Sequence, residues 1–552
     1  MPAKYFLLFW VLLLWPISGF ATEKGADYQA PVLPIGVGGA EKIWAPQSGF
    51  QARAIARWNV VPFQKIDTEI EIGVVAFHMN GIERVDFSAN GGKIISVRIP
   101  KFNKRTKVLE YSVRLQVEGL KDQKIDLRAT AIPNSGVSRD LEPLILFANA
   151  QGRYDGKTVY VTNKKIQGTE NGTEKSPFSS IAKALKKAGD GGRVILLDPG
   201  FYSLAGKTGL KGIDTWISIE GRSNLDRRNI ILGLKERKLV RLDVDKLKFK
   251  NVSLDVGSYI QIYPEITTFV WFDDVRWFDG KGWAYKHKGQ NLIPVRTSKY
   301  IGGYFVTKSV SEDSLYGFPD AKLVRNSHLE RISGDALQGV QMVLNVTVNN
   351  MDGNVRAHHS DILQYFGDFD NVIVFGLKAT NIYNTQNIFL DHYKSTFQNM
   401  AFVNIAVDNK KGNPPFTQLN SRQNHILFYY LSMPSQSWIL RDDMPNKKKF
   451  APKNVIIKNS ILGMVKRGKN GWKGLPMGMN VSNTHFTSGE AHGQAATRGP
   501  ISFERLLPKE IIYAGRAVPF VKNNATTIFA YMDTHGKIQR DIPMDKGAYS
   551  FY

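Results

Sequence analysis

Between Asn354 and Asp368 the chain places Arg356, His358, His359, Asp361 and Gln364 in an otherwise strand-like apolar neighbourhood. Imidazole exchanges protons near neutrality, and a carboxylate beside it can orient it or act as an acid or base itself. The same types recur at fixed spacing: Asp335 and Gln338 in "GDALQ", Asp361 and Gln364 in "SDILQ", Asn387 and Phe389 in "QNIFLDH". From Asp335 to Asp361 is 26 residues, and from Asp361 to Asn387 is 26 again. Equal steps predict three neighbouring rungs of one parallel sheet, about 4.8 Å apart. Asp335, Asp361 and Asn387 would then form one column, and Gln338, Gln364 and Leu390 another. His359 shares the face of Asp361, while Asp391, His392 and Lys394 follow the next rung. Strict alternation sends Asp361 and Gln364 to opposite faces, so a bulge or turn must bring them together.

Two carboxyl groups on adjacent rungs repel as anions, which raises one pKa and separates an acid from a base. A glycoside hydrolase would use such a pair across the scissile bond, at about 5 to 9.5 Å depending on stereochemistry. A lyase acting on a uronate needs a base for the proton beside the sugar carboxylate and a group that neutralises that carboxylate. The candidate catalytic residues are His359, Asp361, Asp335, His392 and Asp391. Arg356, Gln338, Gln364, Lys394 and Arg441 are candidates for holding substrate. So are Trp283 and Lys286, in the stretch "VWFDDVRWFDGKGWAYKHKG", where Trp271, Trp277, Trp283 and Tyr285 alternate with basic residues. Aromatic faces stack on sugar rings while lysines meet carboxylate or sulfate; half of these tryptophans are expected in the core. His359 and Asp361 could share a cation, and calcium is admitted as a cofactor. No full ligand set is visible, so no residue is assigned to a metal.

The elements that position these residues follow from the rest of the chain. Residues 1–21 have a lysine, a short apolar run and a small-residue end at Ala21, the pattern of a secretory signal peptide. That predicts a secreted or periplasmic protein of Gram-negative type with no membrane span. There is no cysteine, so stability must rest on packing, and no thiol chemistry is available. A formal charge of +24 on an exported chain points to an acidic polysaccharide as partner and sets nucleic acid aside. A monomer is expected.

Residues 44–149 read as short alternating strands with "NG" and "NGG" turns, a small antiparallel sandwich of Ig-like kind. His78, beside one of these turns, reads as structural. From Val159 to Leu204 a strand, a Gly-rich loop, a helix with Ile181, Ala184, Leu185 and Ala188 on one face, a "GDGG" stop and a strand ending in "DPGFY" follow in order. This segment resembles the opening of secreted right-handed parallel β-helix proteins of the pectin-lyase type. The closing "DIPMDKGAYSFY" resembles their terminal piece apart from three inserted residues, Pro543 to Asp545. The resemblance spans 159–552. It implies an all-β fold, a right-handed parallel β-helix preceded by the sandwich, and none of the catalytic patterns of that group matches residue by residue.

A solenoid requires repeats. Strand-like runs recur around Asn251, Asp274, Asn326, Asn345, Gly376, Asn399, Tyr430 and Asn459, with gaps from 19 to 52 residues. The widest gap implies a long insertion or a further coil, and the asparagines are expected to stack as a ladder beside a turn. The functional expectation is a lyase cleaving an acidic polysaccharide by β-elimination. A glycoside hydrolase using the paired aspartates, a non-catalytic binding protein or adhesin, and a polymer epimerase are the alternatives.

Overall fold

The structure is a computed structural model. It describes residues 52–92, 94–106, 108–206, 208–234, 240–256, 260–262, 268–282, 295–296, 301–356, 359–390, 395–409, 416–419, 422–440, 452–467, 478–482, 484–486, 497–498, 514–517, 531–532, 538–539 and 549–551. The signal-peptide reading at 1–21, Trp283, Lys286, His358, Asp391, His392, Lys394 and Arg441 lie outside the described residues. The chain is all-β, dominated by one parallel sheet of 23 strands. Among the described residues no helix is long and apolar enough to cross a membrane.

Two small sheets come first. Ile55–Trp58, Glu69–Phe77, Val108–Gln116 and Lys101–Asn103 pair antiparallel in that order. The second sheet is built on Gln123–Pro133, flanked by Leu144–Ala148 and Ile82–Ala89. Asn90 and Gly91, with φ of 49° and 72°, close the hairpin from Ile82–Ala89 to Ile95–Val97, as an Asn-Gly pair can because both tolerate left-handed backbone. Val60, Ile72, Leu115, Ile125 and Leu146 bury between the sheets.

The helix Ile181–Ala188 buries Ile181, Ala184, Leu185 and Ala188, the face its spacing predicts, capped by the Ser180 side chain and ended at Gly189 with φ 72°. Parallel strands then follow one another along a continuous apolar interior running from Val159 to Phe486. Each strand pairs with one about a rung away: Leu323–Glu330 with Met342–Asp352, that with Phe369–Tyr383, then Thr396–Asn409 and Arg422–Leu440. Rings stack between rungs, as Phe402 does on Phe428 at 5.1 Å and 14°.

The long strands bend at left-handed residues that line up rung over rung. One corner column is Asn251, Asp274, Lys308, Asn326, Asn345, Gly376, Asn404, Tyr430 and Asn459, all with φ between 51° and 78°. The flanking pairs set this register; Leu344 faces Phe375 and Val346 faces Leu377, so Asn345 stands opposite Gly376. Asn345 Nδ2 donates to Asn326 Oδ1 at 2.8 Å, one step of the expected ladder. One position fills a rung the sequence reading had left open, and one corrects it. Lys308 supplies the coil hidden in the 52-residue gap, and the rung assigned to Asn399 contributes Asn404 instead. Asn399 belongs to a second left-handed column, Asn371, Asn399, His425 and Asn454.

The sandwich docks on the outer face between these two columns. Phe77, Val108 and Leu109 pack with Trp271, Phe305, Met342, Phe375 and Tyr429 in one apolar cluster. The second column supplies polar hooks. Asn371 Oδ1 accepts from the Ala56 N–H at 2.8 Å while its Nδ2 donates to the Ala56 carbonyl at 2.9 Å. His425 Nε2 accepts from the Met79 N–H at 3.1 Å, and Arg139 forms a two-pronged ion pair with Asp370 at 3.1 and 3.2 Å. His78, read as structural from sequence, is buried here with its ring 4.7 Å from that of His425.

Candidate functional site

The strands Leu337–Gln338, Asp361–Tyr365 and Gln386–Leu390 stack in order on a face separate from the docked one. Leu337 pairs with Leu363 and Gln338 with Gln364, a step of 26 residues that also sets Asp335 beside Asp361. The next step is shorter. Asp361 faces Gln386 and Gln364 faces Phe389, so Asn387 and Leu390 leave the columns predicted for them, and Asn387 instead exchanges two side-chain hydrogen bonds with Asn409. Ile362, Leu363 and Tyr365 are all buried in the interior, a departure from alternation that lets Asp361 and Gln364 meet at 3.0 Å.

The two aspartates are inside. Asp361 is 0% and Asp335 2% exposed, and the Asp361 N–H donates to Asp335 Oδ1 at 3.0 Å. Burial, then the charge of Asp361, pushes the Asp335 carboxyl well above the usual carboxylate range. His359 is the member that meets solvent, with 54% of its side chain exposed. Its Nδ1 lies 3.2 Å from Asp361 Oδ2, and its Nε2 lies 2.7 Å from Gln386 Nε2. Gln386 donating to Nε2 leaves the ring proton on Nδ1, where it donates to Asp361. The Gln386 N–H to Ser360 carbonyl bond at 2.9 Å and the edge of Phe389, 5.4 Å away, hold the imidazole in place.

Gln338 Nε2 donates to Gln364 Oε1 at 2.6 Å, and Gln364 Nε2 donates to Asp361 Oδ2. Each amide keeps a second N–H for an oxygen outside. Arg356 is buried and engaged elsewhere, donating to Asp279 Oδ2 at 3.2 Å and to the Gly282 carbonyl at 2.9 Å. Trp277 is in the core and Trp271 is buried at the docked face, under the Lys248 ammonium 3.7 Å from its ring. Among the described residues no group of three or more acidic, histidine or cysteine side chains could hold a metal ion.

Sequence reasoning missed Asp320. Its N–H donates to the Gln338 carbonyl at 2.6 Å, one rung before the glutamine pair, and burial pushes its carboxyl up to about 6. Gly339, at φ 63°, makes room; a Cβ there would lie 2.4 Å from Asp320 Oδ1. The signal available was Asp320 standing 18 residues before Gln338, a step shorter than the repeat the other rungs suggest.

Set against protein-family models, curated proteins and solved structures, the chain matches none.

Proposed function

We propose that the chain is an exported right-handed parallel β-helix with an Ig-like sandwich docked on one face, and that it cleaves an acidic polysaccharide by β-elimination. The observation that carries the reading is the asymmetry of the cluster: an imidazole open to solvent, held by the buried carboxylate of Asp361, which is itself backed by the buried carboxyl of Asp335. A hydrolase needs both carboxyl groups at the glycosidic bond, and neither Asp335 nor Asp361 reaches solvent. An eliminating enzyme needs one base, and a carboxylate-held imidazole is such a base.

Substrate would displace Gln386 from His359 Nε2. That nitrogen takes the proton from the carbon beside the uronate carboxylate, and the second N–H groups of Gln338 and Gln364 donate to the carboxylate as charge builds on it. The C–O bond one carbon further along then breaks, a carbon–carbon double bond forms, and the departing oxygen takes up a proton. The net charge of +24 supports a polyanionic substrate.

The test is incubation of the mature protein with polygalacturonate, alginate, glycosaminoglycans, ulvan and carrageenan, following the ultraviolet absorbance of an unsaturated uronate together with new reducing ends. Absorbance that vanishes in His359→Ala and falls by about 10²- to 10⁴-fold in Asp361→Asn supports the assignment. New ends without absorbance would make it a hydrolase. No cleavage of any polymer would leave binding or epimerisation.

A further inference from the structure

Beside the His359 cluster lies an open pocket of about 340 Å³, lined by Arg331, Asn350, Asp352 and Tyr383. We propose that it is a second ligand site and holds one uncharged sugar residue of the polymer, a proposal that rests on the polysaccharide reading above.

The pocket spans three consecutive rungs. Arg331 precedes the strand of Asn350, and Asp352 pairs directly with Tyr383 on the next rung. Each rung runs on into the catalytic face: Arg331 comes four residues before Asp335, and Tyr383 three before Gln386. Chain of that length reaches no more than about 14 Å, so the pocket and the His359 cluster flank one corner of the fold. A polymer at one of them is within reach of the other.

The charge of the pocket selects its occupant. The Arg331 guanidinium is taken up by Asp313, at 2.6 and 2.9 Å, and by Glu330 at 3.4 Å. With Asp352 that makes three carboxylates against one cation, so a uronate or sulfate would be repelled here although the chain as a whole is basic. Both hydrogen bonds to Asp352, from Asn384 Nδ2 at 2.9 Å and the Asn354 N–H at 3.0 Å, fall on Oδ1, leaving Oδ2 as an acceptor for hydroxyls. Beside it Tyr383 is 37% exposed, one of four large hydrophobic side chains left open among the described residues. An apolar ring face next to a carboxylate acceptor suits a sugar, with its C–H face on one side and hydroxyls at the rim. The volume is at the small end for a ligand site. The substrate inferred is therefore a polymer with uncharged as well as acidic residues.

The test is isothermal titration of the full-length mature protein with neutral gluco-, xylo-, manno-, galacto- and N-acetylglucosamine oligosaccharides, and with polyuronate fragments. At least one neutral series should bind with little dependence on salt. Binding should weaken at least about tenfold in Tyr383→Ala and in Asp352→Asn, and persist in Tyr383→Phe. Circular dichroism checks that each variant is folded. Failure of every neutral series to bind, or binding indifferent to Tyr383→Ala and Asp352→Asn, overturns the proposal. A protein that binds neutral sugar at Tyr383 yet cleaves nothing would sink the lyase reading alone; a lyase with no such binding would sink the pocket alone.

Discussion

Acid should loosen the docked sandwich through His425. Its Nε2 accepts from the Met79 N–H and its Nδ1 faces Asn399 Oδ1 at 2.9 Å, so the neutral ring is locked with its proton on Nδ1. His78 is locked likewise, accepting from the Asn80 N–H and facing the Ala52 carbonyl. A proton added to His425 Nε2 would point at an N–H. Burial, then the neighbouring His78 and Arg139, lowers the His425 pKa from 6.5 to about 3, and burial lowers His78 as well. Arg139 is itself paired with Asp370. The unfolded chain therefore binds more protons than the folded one below about pH 6.5, and stability is lost as pH falls. For His425 the loss is about 2 kcal/mol between pH 7 and pH 5, rising to about 4–5 kcal/mol near pH 3. Urea unfolding at pH 7, 6 and 5, with hydrogen exchange at Met79, measures it. His425→Asn keeps a residue suited to φ 55°, as at Asn399 and Asn454 in the same column, but cannot titrate. It should cost about 1–3 kcal/mol at pH 7 by orphaning the Met79 N–H, and its deficit should shrink toward pH 5. Wild type and variant losing stability in parallel would refute the reasoning.

Asp335→Asn tests the upward shift of the buried carboxyl: because its pKa is raised, the folded state binds more protons than the unfolded one and wild-type stability falls as pH rises above the ordinary carboxylate value. The amide should therefore stabilise at pH 8, with the gain fading toward pH 4, as thermal melts would record. Asn345→Ala should cost about 2–3 kcal/mol from left-handed backbone and the lost bond to Asn326, and Asn345→Gly should recover part of it, measured by urea unfolding. Gly339→Ala should destabilise by at least about 1–2 kcal/mol and shift the pH dependence contributed by Asp320, whose carboxyl it would displace. Arg139→Ala should cost about 1–3 kcal/mol and speed exchange at Ala56 and Met79 while leaving His359 chemistry intact.

Much of the parallel architecture was legible because left-handed corners select particular residues. Asn251, Asp274, Asn326, Asn345, Gly376, Tyr430 and Asn459 were found as the polar interruptions of apolar runs. Lys308 escaped because lysine carries no such preference, and Asn399 was taken for Asn404 because two asparagines five apart satisfy the same pattern at two different corners. The step from Asp335 to Asp361 was readable from two matching pentapeptides. The next step was not, since one residue fewer between rungs shifts Gln386 into place and leaves no mark on the motif. Burial of the aspartates was also hidden, because alternation assigns Asp361 a face and not a depth. The docked surface was invisible for a related reason: "MVLN" and "VIVF" are apolar on both faces, which reads as a buried strand without saying that the second cover comes from residues near the N-terminus.

That cover comes from far away along the chain. The Met79 N–H meets a side chain 346 residues later, and Ala56 one 315 residues later. A chain made from its N-terminus lays down the sandwich first, yet the wall it rests against is complete only when Ile456 has been added. Until then Phe77, Val108 and Leu109 have only part of their partner surface, and contacts of such long sequence separation form slowly. Assembly of this protein should therefore end with an early segment closing on a wall made late in the chain, and truncation anywhere before residue 457 should leave a sandwich that is sticky and prone to aggregate.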